Sequence, residues 1–316
     1  MRWGLIGTRG LVDKGGLNAF ENAQNAELAA VLSSEPERAK EFGAKHGVET
    51  ATADMDEFLG APGLEAVWIA SPTWRHHEQG RAALDAGKHV LLEKPLAINA
   101  ELGWDLVDAA RKSGVVLATG YQARYVPGHQ NMVRLIAEGA IGEPSVVRTY
   151  YGIHRPGPPP EWRQKRDTAR WGALSDVGTH HVDLIRMLLG EISEATGYHE
   201  RQQDFETDDA VAAVVRLESG AVGTLTMSTN AWVQYTRVEV HGTAGALVAE
   251  DTSPLGQGTV ALLRADADPE DVTGPRPISW IAQLETVTRA ASGEDVPYAT
   301  GEDGARNLEI MEQIIE

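Results

Sequence analysis

Cysteine is absent from the 316 residues, so disulfides, thiolate nucleophiles and cysteine-ligated zinc are excluded. No apolar run approaches the length of a membrane span. No basic segment with a following apolar stretch precedes the strand-like Trp3-Gly4-Leu5-Ile6-Gly7. These absences lead to the expectation of a cytoplasmic address and no membrane partner. Basic residues are also scarce: 28 Lys and Arg stand against 46 Asp and Glu, a formal net charge of −18. Such a field repels polyanions, so no nucleic-acid partner is expected, and any phosphorylated cofactor must be held by local donors. Neither an internal repeat nor a low-complexity tract is present.

What remains has an ordinary globular composition, 42% hydrophobic and 23% charged. The length suits two domains better than one. Residues 1–120 alternate short apolar strands (Arg2–Gly7, Glu27–Leu32, Ala66–Ala70, His89–Leu92, Val115–Thr119) with helical patterns such as His76–Ala86 and Ala100–Lys112. That alternation is the signature of a doubly wound parallel sheet, a Rossmann-type α/β domain. Gly87-Lys88 and Ser113-Gly114 are suitable helix stops. Residues 121–316 differ. A helix over Gly128–Glu138 leads to a strand at Ser145–Tyr151, then to a loop with Pro156, Pro158, Pro159 and Pro160, then to a helix at Val177–Leu189. Strands at Ala210–Leu217, Ala221–Ser228, Tyr235–His241 and Ala246–Ala249 follow, with turn pairs such as Ser219-Gly220 between them, and helices near Trp280–Ala291 and Asp303–Ile315 close the chain. This second domain reads as α+β with a largely antiparallel, hairpin-connected sheet.

Gly7-Thr8-Arg9-Gly10 lies between the first strand and a helical stretch, where a dinucleotide-binding fold turns its backbone toward the pyrophosphate. The full glycine fingerprint would ask for glycine at Arg9 and a small residue at Val12. An NAD-preferring site places an acid at the end of the second strand. Here Ser33 and Ser34 stand there, with Arg38 shortly after. Hydroxyls and a guanidinium suit a 2′-phosphate, which favours NADP(H) over NAD(H). Ser34 and Glu37 also have the spacing of a helix capping box, and the two readings are compatible.

The segments Ala70-Ser71-Pro72-Thr73-Trp74-Arg75-His76, Ala86-Gly87-Lys88-His89-Val90 and Glu93-Lys94-Pro95-Leu96-Ala97 resemble the glucose–fructose oxidoreductase/inositol dehydrogenase/rhizopine-catabolism family, Gfo/Idh/MocA. So do Gly120-Tyr121-Gln122-Ala123-Arg124-Tyr125, Ile141-Gly142-Glu143-Pro144, Asp176-Val177-Gly178-Thr179-His180 and Val240-His241-Gly242-Thr243-Ala244-Gly245, so the likeness covers essentially the whole chain. Within the family, Trp162-Arg163 and the N-terminal Arg-Trp-Gly-Leu-Ile-Gly are similar to the anhydrofructose reductases.

The resemblance implies hydride transfer between a nicotinamide cofactor and a sugar, keto-sugar or polyol. It implies cofactor contacts from Ser71, Pro72, Thr73, His76, Glu93, Lys94 and Gln122, beside those from Gly7, Thr8, Arg9, Gly10, Ser33, Ser34 and Arg38. It also implies a cis bond before Pro95. The chemistry of the residues agrees. Lys94 follows the strand His89–Leu92, at the carboxyl edge where open α/β sheets bind ligands, and an ammonium there stabilises a developing alkoxide. Asp176 and His180 are spaced i,i+4, so His180 can exchange a proton while Asp176 orients it. His181 shares a stripe with Leu184, Ile185 and Leu188 and reads as packed. Adjacent histidines diverge on a helix, so no metal site is expected. By the resemblance Arg124, Trp162, Arg163, Asp176 and His180 border the substrate. Thr73 and Gln122 stand where the family has Asn, or Asn or His. Residues Ala169-Arg170-Trp171-Gly172-Ala173-Leu174 replace a glycine-rich approach, and both departures leave the substrate open. A cofactor-retaining glycosidase and a non-catalytic nicotinamide- and sugar-binding regulator stand as alternatives. Family members self-associate through the C-terminal sheet or remain monomeric.

Overall fold

The computed structural model describes residues 1–10, 12–155, 157–252, 258–275 and 279–315, with the side chains of 13 and 14 excepted. They form two compact units, Met1–Gly120 with Ile278–Ala305, and Tyr121–Pro277 with Arg306–Glu316.

The first unit holds six strands: β1 Arg2–Ile6, β2 Glu27–Leu32, β3 Thr50–Thr52, β4 Ala66–Ile69, β5 His89–Leu92 and β6 Leu117–Thr119. All its pairings are parallel, and the order β3-β2-β1-β4-β5-β6 is that of a doubly wound Rossmann sheet. Helices cover both faces of such a sheet, which is why β4 and β5 read as nearly unbroken apolar runs. Gly47 and Gly114 end the helices Pro36–His46 and Ala100–Ser113 in the left-handed conformation. The helix after β2 corrects one expectation. Its cap is Glu35 with no side-chain hydrogen bond, so the Ser34–Glu37 box does not form. Pro36, favoured at the first helical position, sets the frame one residue later.

A second correction concerns residues 278–305, expected within a continuous second domain. The helix Ser279–Ala291 buries Trp280, Leu284 and Val287 in one cluster with Trp3, Val12, Phe20, Trp68 and Leu91. The Trp3 indole also donates to Thr288 Oγ1 at 3.1 Å. Apolar burial of this size outweighs sequence order.

The second unit holds β7 Pro144–Gly152, β8 Ile192–Glu200, β9 Ala210–Leu217, β10 Val222–Ser228, β11 Tyr235–Gly242, β12 Ala246–Glu250, β13 Thr259–Leu263 and β14 Glu270–Asp271. The order is β14-β13-β12-β11-β7-β10-β9-β8, antiparallel throughout except for the parallel pair of β7 and β10. The hairpin across Ser219-Gly220 joins β9 to β10 as expected. β10 and β11 are not neighbours, because β7 lies between them. Residues along β9 alternate strictly between buried and exposed, the pattern of a sheet covered on one face. The helix Thr179–Leu189 belongs to the covered side, its His181 ring lying 5.2 Å from that of Tyr151 on β7. Among the described residues, no helix is long and apolar enough to cross a membrane.

Candidate active site

In the first unit the expected cofactor residues gather at the carboxyl ends of the parallel strands. The chain leaves β1 at Gly7 with φ +111°, and its amide donates to Leu32 O at 3.0 Å. A Cβ at Gly7 would stand 3.0 Å from the Ala70 carbonyl oxygen, so only glycine turns here without strain. Gly10 is also left-handed, at +72°, with open space beside it. A turn of π-helix, Val12–Gly16, then runs into the helix Leu17–Asn22. Val12, where the fingerprint asks for a small residue, is buried in the core. Thr8 Oγ1 and the buried Ser33 Oγ lie 3.4 Å apart, and Ser34 follows exposed. Arg38 pairs with Glu35 across one helical turn. A backbone bent back over open space beside two hydroxyls and a guanidinium fits a dinucleotide, and a 2′-phosphate there would compete with Glu35 for Arg38.

The loops after β4 and β5 are tied together by His76. Its Nδ1 lies 2.8 Å from Pro95 O and its Nε2 2.9 Å from Ser71 O, and the ring is buried. Neutral imidazole has one N–H to donate, so two carbonyls favour the charged form. Burial outweighs both contacts and, with the nearby Lys94 ammonium, pushes the ring down to about 4. With both nitrogens on backbone carbonyls, His76 acts on the loops rather than offering a polar atom to a ligand. Ser71 Oγ donates to Gln79 Oε1 at 2.6 Å. Gln79, which sequence reasoning missed, stands one turn after His76 on the same helix face. Pro72 opens the short turn Thr73–Arg75, with Thr73 buried. The Lys94–Pro95 peptide is cis, as the resemblance implies, and Lys94 is half-buried just past β5. Glu93 is buried and accepts from the Trp68 indole at 3.2 Å. A Cβ at Gly120 would come within 2.9 Å of that carboxylate.

In the second unit the helix that carries Asp176 and His180 begins earlier than expected, with a π turn at Leu174–Gly178 that continues as the helix Thr179–Leu189. Asp176 sits in the π turn and His180 in the first α turn. Asp208 builds the approach. Its carboxylate accepts from Gly172 N at 2.9 Å and Leu174 N at 3.0 Å, and its carbonyl accepts from Ala173 N at 2.9 Å. Burial raises the Asp208 pKa against those amides. Asp176 is clamped by two guanidiniums, those of Arg155 and Arg163. Arg163 stacks on Trp162, 4.8 Å from the ring centre, and its carbonyl accepts from Thr207 Oγ1 at 2.9 Å. Arg155 and Asp208 were invisible to sequence reasoning, since each looks like a solvated charge in a loop.

Arg124 forks onto the fully buried Asp183, with Nε and Nη2 at 2.8 and 2.6 Å, and Asn307 Nδ2 adds a third donor at 3.0 Å. The Tyr121 ring meets the His180 ring edge-on at 6.0 Å, and its hydroxyl pairs with Thr179 Oγ1 at 2.7 Å. Gln122 is buried in the turn Gln122–Tyr125. His181 is packed against Tyr151, as its stripe suggested. Trp171 is buried, and Arg170 adopts φ +59° while pairing with Glu312 at 3.2 Å. Among the described residues, no three His, Asp or Glu side chains gather as a metal-ligand set.

A family model described as an oxidoreductase family with an NAD-binding Rossmann fold matches residues 1–121, and one described as a GFO/IDH/MocA C-terminal domain matches residues 129–248. The 1,5-anhydro-D-fructose reductase of Ensifer adhaerens is 32% identical over 97% of this chain and 93% of its own. Aldose-aldose oxidoreductase from Caulobacter crescentus, solved with glycerol, superposes with a TM-score of 0.89 at 25% identity, over 99% of this chain and 95% of that one. Levoglucosan dehydrogenase, in complex with NADH and levoglucosan, gives 0.88 at 26% identity over 99% and 96%. The cradle after β1, the Lys94–Pro95 turn and the Asp176–His180 helix thus stand in a chain that belongs to the Gfo/Idh/MocA oxidoreductases, with an NAD-binding Rossmann domain followed by the family's C-terminal domain.

Proposed function

We propose that the protein transfers hydride between NADP(H) and a sugar, keto-sugar or polyol, with Lys94 and His180 as its catalytic pair. The observation that carries this reading is the setting of Lys94, at the carboxyl edge of a parallel sheet in a turn braced by His76. The nicotinamide, when bound, supplies or accepts the hydride. Gly7, Thr8, Arg9 and Gly10 would hold the pyrophosphate, Ser33, Ser34 and Arg38 the adenosine ribose and its 2′-phosphate, and the Ser71–Thr73 turn with Gln122 the nicotinamide end. In reduction Lys94 donates to the carbonyl oxygen and stabilises the charge that develops there. His180 delivers the proton. Asp176, clamped by Arg155 and Arg163, fixes the turn that precedes His180, while Trp162, Arg163 and Arg124 border the substrate.

The preference for NADP(H) rests on the serines at the end of β2 and on Arg38, which can exchange Glu35 for a phosphate. A spectrophotometric screen of sugars, keto-sugars and polyols against both cofactors tests the proposal. Turnover is expected with NADP(H) above NAD(H), and Lys94→Ala should lower kcat at least about a hundredfold. Unchanged turnover in Lys94→Ala would sink the catalytic assignment, and an NAD(H)-only response would sink the cofactor one. Sugar release without accumulation of reduced or oxidised nicotinamide would mark a glycosidase instead.

A further inference from the structure

The clamp on Asp176 is unbalanced in charge. Arg155 and Arg163 contribute two positive charges and Asp176 one negative, so the cluster is left with a net positive charge. It is also sheltered: the side chains of Arg155, Arg163 and Asp176 are only 24%, 33% and 14% exposed. Asp176 is the one carboxylate that either guanidinium pairs with among the described residues. Yet the chain carries 46 acidic residues, and other arginines are matched more fully. Arg124 has a carboxylate to itself, and Arg237 pairs with both Glu239 and Glu250. Sheltering an uncompensated cation is costly, and such a feature persists where a ligand completes it.

Both guanidiniums are also desolvated. Burial and then the neighbouring Arg155 pull Arg163 down to about 10, and burial lowers Arg155 as well. Arg237 moves the other way, raised first by its hydrogen bond to Tyr235 and then by Glu239 and Glu250. Trp162 covers one face of Arg163 and leaves its N–H edge for polar contact. The cluster lies one helical turn before His180, beside the proton donor of the proposed reaction.

We propose that Arg155 and Arg163 form an anion-recognition subsite, so that the preferred substrate is an acidic sugar derivative carrying a carboxylate or a phosphate. Planar guanidinium forks match both groups, and Asp176 spaces the two forks and partly neutralises them until the substrate arrives. The inference rests on the reading of Asp176 and His180 as part of the substrate site.

Three probes of related shape separate the outcomes: D-glucose, D-glucuronate and D-glucose 6-phosphate, titrated against the NADPH-loaded protein by calorimetry at 0.05 and 0.5 M salt. At least one acidic probe should bind about tenfold or more tightly than D-glucose at low salt and lose much of that advantage at high salt. The stronger acidic probe identifies carboxylate or phosphate as the recognised group. Arg155→Met and Arg163→Met should each erase the preference while NADPH still binds, and Arg155→Lys should restore part of it. Two independent variants guard against one that fails to fold, with NADPH affinity reporting on the first unit and far-UV dichroism on both. Equal or tighter binding of D-glucose than of both acids overturns the anion subsite but leaves the sugar reading intact, whereas binding of none of the three overturns both.

Discussion

Acidification from pH 7.5 to pH 5 should loosen the second unit before its carboxylates titrate, because two of its histidines are buried uncharged. His129 donates from Nδ1 to Ala123 O and accepts at Nε2 from the Thr252 hydroxyl, both at 2.8 Å, which fixes a neutral tautomer. Burial pushes it down to about 4. His181, stacked on Tyr151, is pushed down to about 3, by burial first and by His129 second. In the unfolded chain both return to about 6.5. The folded value lies below the unfolded one, so the unfolded chain takes up the proton first. Stability is therefore complete above about pH 6.5 and is lost as the pH falls toward 4 and then 3. At pH 5 each histidine costs about 2 kcal/mol, since each pH interval of one is worth about 1.4 kcal/mol. Together they remove about 4 kcal/mol from a domain whose total is about 5–15 kcal/mol. Urea unfolding followed by tryptophan fluorescence at pH 7.5, 6.5, 5.5 and 5 measures the loss. His181→Phe keeps a ring against Tyr151 and gives up no partner at Nδ1, which has none. The variant should lose about 2 kcal/mol less than the wild type over the same range. A urea midpoint that stays constant from pH 7.5 to 5, or the same fall in His181→Phe, would refute the reasoning.

Two further substitutions probe the sites directly. His76→Phe removes the one N–H of the neutral ring, which donates to either the Pro95 or the Ser71 carbonyl, at a cost of about 1–3 kcal/mol. Because the Lys94 turn loses its brace, kcat should fall about ten- to a hundredfold while KM for the sugar changes little, and His76→Gln, with one donor restored, should recover part. Steady-state kinetics with unchanged kcat in His76→Phe would remove His76 from the positioning of Lys94. Gly172→Ala places its Cβ on top of the Asp208 carbonyl oxygen, closer than real Cβ atoms approach. It should cost about 3 kcal/mol or more and lower the melting temperature of the protein. A wild-type melting curve would show that the Asp208 loop yields freely.

Much of the fold was legible because burial leaves a periodic trace. β1, β2, β4 and β5 are apolar runs, and β9 alternates, so each announces itself locally. β3 is three residues, Thr50-Ala51-Thr52, and exists through its pairing with β2. β8 is an edge strand whose only buried residue is Ile192; from Ala195 on it alternates only between half-buried and exposed positions, and those are filled by residues that give no apolar stripe. The amphipathic stripe of Trp280, Leu284 and Val287 reveals a helix but not the core that it joins. The insertion of β7 between β10 and β11 is a contact across the chain with no local signature at all.

The site divides along the same line, and there the consequence is chemical. Lys94, Asp176 and His180 were legible as members of short motifs. Arg155 and Asp208 were not, because they reach Asp176 and Gly172 across 21 and 36 residues. A motif supplies the identity of a group, whereas its partners set its charge and its freedom. Asp176 taken alone is an anion four residues from a histidine, suited to hold an imidazolium. Between Arg155 and Arg163 the same carboxylate is outnumbered, and the neighbourhood of His180 becomes cationic. A substitution at any one of the three therefore changes the charge presented to whatever binds beside His180, and not only the tie that holds the turn before it.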